Sequence, residues 1–145
     1  MENENPIYVV SCTETDRDGT LNGLEATLEV VGLFSTLKTA TAEINRQLII
    51  KKDKITEYYE KLLKDLQQEI SDTIEDLATE KDPDRQELLR YTVEQLEEYQ
   101  RTYETNKIPE TFIGHGPDGE LNEVTAKDDS IGWICAFDIQ KMTIR

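Results

Sequence analysis

Histidine is almost missing from these 145 residues: His115 stands alone, and Cys12 and Cys135 are the only thiols. One imidazole and two distant cysteines form no Cys-x-x-Cys or His-x-x-x-His spacing, so no metal site is expected. Proline and glycine are scarce, at 4 and 7 residues, and neither occurs between Gly32 and Pro83. That absence favours long uninterrupted regular structure in the middle of the chain. No apolar run approaches the roughly 18 residues of a membrane span. The start, Met1 to Asn5, lacks the basic and apolar regions of a secretory signal. No membrane contact is expected, and the compartment inferred is the cytoplasm, with the nucleus as the alternative.

Positive charge is also in short supply, with 16 Lys and Arg against 31 Asp and Glu and a net charge of −15. Binding a phosphate backbone requires cations that displace counterions, so direct nucleic-acid binding is not expected. The excess sits at the ends. Residues 1–35 carry seven acids and one base, and residues 108–145 seven and three. Residues 36–80 carry ten and seven, and residues 81–107 seven and five. Such a surface either keeps the protein soluble or attracts a basic partner. At this length one domain with its own core is expected.

Three stretches have strand character. Residues 7–13 are rich in β-branched and aromatic types. Residues 24–34 alternate, with Leu24, Ala26, Leu28 and Val30 expected on the buried face. Residues 131–139 place Trp133, Cys135, Phe137 and Ile139 on one side. Asp18-Gly19 and Asn22-Gly23 mark a turn between the first two. Between the second and third strands, apolar residues recur at the helical period from Leu37 through Ile44, Leu48, Ile55, Tyr59, Leu66 and Ile70 to Leu77. Ser35 is the expected N-cap, and charge at 51–54 offers one place for a break. Asp82 and Pro83 make the cap and first position of a second helix, running to about Asn106. Residues 114–119, Gly-His-Gly-Pro-Asp-Gly, are expected to be loop.

The fold expected is α+β, a small antiparallel sheet of about three strands with one long helix leading into an antiparallel helical hairpin. Within the single domain, residues 6–50 and 108–145 form the α/β base, and residues 51–107 form a protruding hairpin. The stretch Leu28 to Ala42, Leu-Glu-Val-Val-Gly-Leu-Phe-Ser-Thr-Leu-Lys-Thr-Ala-Thr-Ala, resembles a pattern in small uncharacterised α+β proteins, many of them fungal. In those a Gly-aliphatic-aromatic-Ser turn joins a strand to an alanine-rich helix. The resemblance implies the same order of elements and carries no activity.

Catalytic candidates are thin. His115 beside one of the cysteines is a formal nucleophile pair, but both thiols sit in strand-like segments among acids, which raise a thiol pKa. The glycines at 114, 116 and 119 lack a P-loop Lys and stand beside Asp118 and Glu120. No enzyme and no cofactor is expected. The cysteines are expected to be buried free thiols; a disulfide across neighbouring strands is the alternative.

The hairpin carries the distinctive chemistry. Tyr58 with Tyr59, and Leu62 with Leu63, widen its apolar face beyond what a two-helix seam covers. With Leu66, Tyr99 and Tyr103 they form the candidate interaction surface, for a homodimer or a protein partner. An acidic inhibitor or nucleic-acid mimic that occupies a basic protein is the second reading.

Overall fold

Thr36 opens the long helix. Its hydroxyl accepts from the backbone N–H of Thr39 at 3.1 Å, and its carbonyl accepts from the N–H of Ala40 at 3.2 Å. The cap is therefore Thr36 and not Ser35: β2 ends at Phe34 as expected, and it is Thr36 whose hydroxyl and carbonyl meet the first free N–H groups of the helix. The computed structural model describes residues 5–23, 26–106 and 109–144. From Thr36 the helix α1 runs unbroken over Leu37–Thr79, 43 residues and about 65 Å at 1.5 Å per residue. The charged 51–54 segment does not break it. Those lysines turn sideways to polar partners and leave the backbone ladder intact.

The chain divides into two compact units, Met1–Lys54 with Pro109–Arg145, and Ile55–Ile108. The first holds one five-stranded antiparallel sheet in the order β2-β1-β5-β4-β3. Its strands are β1 (Asn5–Asp16), β2 (Ala26–Phe34), β3 (Glu110–His115), β4 (Leu121–Asp128) and β5 (Trp133–Ile144). The expectation of about three strands was too low by a hairpin. The β3–β4 pair takes in the 114–119 stretch that was expected to be loop. Turn-forming residues dominate that stretch, and the inward positions of β4 are only Val124, Ala126 and Asp128, too small and mixed to stand out. Gly114 and His115 belong to β3, with a bulge between them, and the turn proper is 116–119.

The register places Val10, Cys12, Val124, Ala126, Trp133, Cys135, Phe137 and Ile139 on one buried face. Ala40, Ile44 and Leu48 of α1 are buried in the same unit. Lys51 of α1 reaches β1, and Lys52 donates to Thr111 of β3 at 2.7 Å, so this part of the helix crosses the sheet. A tight turn carries β4 into β5, with Gly132 at φ +66°. A Cβ there would stand 2.9 Å from the Asp18 carboxylate, so glycine is required twice over.

The side alternation of β2 is inverted relative to expectation. Thr27 pairs with Glu14 and Glu29 with Cys12, so these polar residues share the helix-covered face. Leu28 and Val30 are 77% and 68% exposed. A bulge at Val31 of β2, opposite the Val10–Ser11 step of β1, shifts the parity, returning Gly32 and Phe34 to the covered side. Leu24 and Glu25 lie outside the described residues.

The second unit holds the remainder of α1 and α2 (Pro83–Asn106). Asp82 caps α2, accepting at its side chain from Asp84 N–H and at its carbonyl from Gln86 N–H. The rings of Tyr59 and Tyr103 meet at 6.0 Å between centroids, near the beginning of one helix segment and the end of the other. The helices are therefore antiparallel, as a three-residue connection requires.

Candidate functional site

On the helical unit, the interaction residues inferred from sequence separate into two groups. Tyr59 and Leu66 are buried, while Tyr58, Leu62, Leu63 and Tyr103 are half-buried. Tyr58 packs edge-on against Tyr59 at 5.4 Å. Tyr99 alone of the set is exposed, at 53%. Two further residues, Leu88 at 62% and Tyr91 at 59%, stand in line with it. Leu88, Tyr91, Gln95 and Tyr99 recur every three or four residues and so form one stripe along α2. That stripe lies beside the Leu89, Val93, Leu96 and Tyr103 stripe, whose members are buried or half-buried. At about 100° per residue, Glu87, Glu94 and Glu98 flank it on one side, all exposed. Leu88 and Tyr91 were legible in the sequence as a second stripe beside that of Leu89 and Val93.

On the sheet unit, a polar cluster forms where β1, the β1–β2 turn, β5 and α1 meet. The Asp16 carboxylate, 1% exposed, accepts backbone N–H groups of Thr20, Leu21 and Asn22 at 3.1, 2.8 and 2.5 Å. This fixes the turn and sets Asn22 over Glu14. Glu14 then accepts from Lys51 Nζ at 2.5 Å, Trp133 Nε1 at 2.9 Å and Asn22 Nδ2 at 3.1 Å. Lys54 Nζ donates to Asn22 Oδ1 at 2.5 Å. Beside this network lies a cavity of about 360 Å³ bounded by Glu14, Asn22, Thr27, Glu29, Lys51 and Lys54. No sequence signal links Glu14 to Lys51, because only the fold brings them together.

Burial by itself would raise the Glu14 carboxyl, yet the hydrogen bonds from Lys51 and Trp133 outweigh it and hold the group below its ordinary value. Burial acts to lower the Lys51 ammonium, and the bond and charge of Glu14 win and raise it. A lowered acid contributes stability above its unfolded pKa of about 4.5 and loses it as pH falls through the folded value. A raised base contributes below about 10.5 and loses it as pH rises past the folded value. Both are therefore present from about pH 5 to 10. Glu14→Gln is expected to cost about 2 kcal/mol at pH 7, since a charge-assisted bond to a partly buried lysine is lost. In urea titrations that difference from the unmodified chain shrinks as pH drops below 4. A difference that stays constant down to pH 3 contradicts the assignment.

His115 is exposed on the edge strand β3. Cys135 lies two strands inward on β5, and Cys12 lies on β1 beyond it. The nucleophile pair considered above is not assembled. Among the described residues no three His, Cys, Asp or Glu side chains converge as metal ligands, and no helix is long and apolar enough to cross a membrane. No family model, no curated protein and no solved structure matches the chain.

Proposed function

We propose that this chain is a non-enzymatic interaction module whose helical hairpin docks an amphipathic helix of a basic partner protein. The observation that carries this reading is the solvent-facing stripe Leu88, Tyr91 and Tyr99 with acids along one flank. Exposed tyrosine and leucine in line at helical spacing suit a helix-in-groove contact, and tyrosine is enriched among residues that dominate binding energy. The flank selects the occupant. A second copy related by a two-fold axis would set Glu87, Glu94 and Glu98 against the same residues of its mate, and like charges so juxtaposed oppose association. A helix bearing Lys or Arg beside its apolar face satisfies both features, and the net charge of −15 draws it in.

The test uses a synthetic amphipathic peptide with leucines at helical spacing flanked by lysines, and a control with glutamates in the lysine positions. Fluorescence anisotropy is expected to give micromolar binding of the basic peptide alone. Leu88→Ser combined with Tyr99→Ser is expected to weaken it at least tenfold, equivalent to about 1.4 kcal/mol. Both positions are exposed, so thermal stability changes little. Equal binding to the double variant, or a stable dimer by light scattering at tens of micromolar, would refute the assignment.

A further inference from the structure

The chain has two cysteines, far apart in sequence, and the fold brings both to one place. Cys12 on β1 and Cys135 on β5 are 2% and 0% exposed, with their Sγ atoms 3.5 Å apart. Cys12 pairs with Phe137 and Glu14 with Cys135, so the two are diagonal neighbours on the same face of adjacent antiparallel strands. We propose that Cys12 and Cys135 form a redox-active dithiol that hydrogen peroxide converts to an intramolecular disulfide, covalently joining β1 to β5.

Diagonal neighbours in such a pair stand roughly 7 Å apart at Cα, at the outer limit a disulfide spans, so closure needs a small local shift of the backbone. The means is adjacent: the bulge in β2 at Val31, opposite Val10/Ser11, interrupts the β1–β2 ladder beside Cys12 and leaves β1 freer to shift there. The oxidant is set by burial. Thiols this enclosed exclude a bulky disulfide such as oxidised glutathione and admit only a small neutral molecule.

The chemistry balances. The Cys12 sulfur attacks one peroxide oxygen, the O–O bond breaks, and a sulfenic acid and water result. The Cys135 sulfur then attacks the sulfenic sulfur, the S–O bond breaks, and a second water leaves. Two thiol protons go to the two waters, the sulfurs lose two electrons, and the peroxide gains them. Cys12 is the attacking sulfur because the hydrogen bond from Cys135 favours its thiolate, with the charge of Lys51 adding to it, while Cys135 is pushed up by the same bond.

Treating the reduced, folded protein with hydrogen peroxide is expected to lower its intact mass by two hydrogens without crosslinking chains. Dithiothreitol added in denaturant reverses the change, and the oxidised form melts about 10 °C higher, because a long loop is closed in the unfolded chain. With Cys135→Ser the reaction stops at a sulfenic acid on Cys12, read as a gain of one oxygen in intact mass. Thiols that stay fully titratable after peroxide, sulfinic or sulfonic products in place of the mass loss, or crosslinked chains would each overturn the proposal. So would a Cys135→Ser protein that gains no oxygen after peroxide.

Discussion

Trp133→Ala is expected to lower the unfolding free energy by about 4–5 kcal/mol, the largest effect of any single substitution considered. Trp133 opens β5, is 1% exposed, and is among the largest fully buried side chains. Removing an indole from such a site loses its transfer free energy and leaves a cavity too enclosed to collapse. Its Nε1–H also donates to Glu14 at 2.9 Å, and losing that donor leaves a partly buried carboxylate under-satisfied. Trp133→Phe separates the two contributions. It retains most of the apolar volume and forfeits the N–H, so a loss of about 1–2 kcal/mol is expected. At about 3 °C per kcal/mol for a chain of this size, Trp133→Ala should melt some 12–15 °C lower. Calorimetry on both variants checks this, and equal losses would mean that packing contributes nothing beyond the hydrogen bond.

Asp16→Ala is expected to cost about 3 kcal/mol and to act mainly on the β1–β2 connection. One buried carboxylate there satisfies three consecutive backbone N–H groups, those of Thr20, Leu21 and Asn22. Charge-assisted bonds of this kind contribute about 1.5–3 kcal/mol, and donors left without an acceptor add a desolvation cost. Asn22 is the link to Glu14, so the damage extends to the polar cluster. Asp16→Asn keeps an acceptor oxygen but loses the charge, and should recover about half of the loss. Urea denaturation measures both. Hydrogen exchange adds a local readout: the amides of Thr20 to Asn22 should exchange faster in Asp16→Ala while those of α2 remain unchanged.

The helices were readable because their signals are local and redundant. The 3.6-residue apolar period, a 50-residue span free of Gly and Pro, and the Asp82-Pro83 start all agree, and α1 and α2 follow. Ile74 departs from the stripe, exposed where Thr73 turns in, because Thr73 satisfies its hydroxyl on the carbonyl of Glu69. The sheet was harder to read, since strand identity depends on partners remote in sequence. β5 was legible from four large alternating side chains. β3 and β4 were not, because their pairing is carried by the backbone and by small residues. The facing of β2 depended on one extra residue, Val31, opposite the Val10–Ser11 step of β1, which nothing local announces. The burial of both cysteines was foreseeable from their apolar flanks, and their meeting across neighbouring strands was the alternative weighed from the sequence.

β1 lies between β2 and β5, so one of its two edges belongs to a strand that begins more than a hundred residues later. On a ribosome adding about 5–20 residues per second, that edge waits on the order of ten seconds for its partner. The helical hairpin, encoded in between, leaves the exit tunnel whole and can zip up from contacts close in sequence. The β1–β2 pair and the hairpin thus precede closure of the sheet, and Val10 and Cys12 remain without Ile139 and Phe137 until β5 is made.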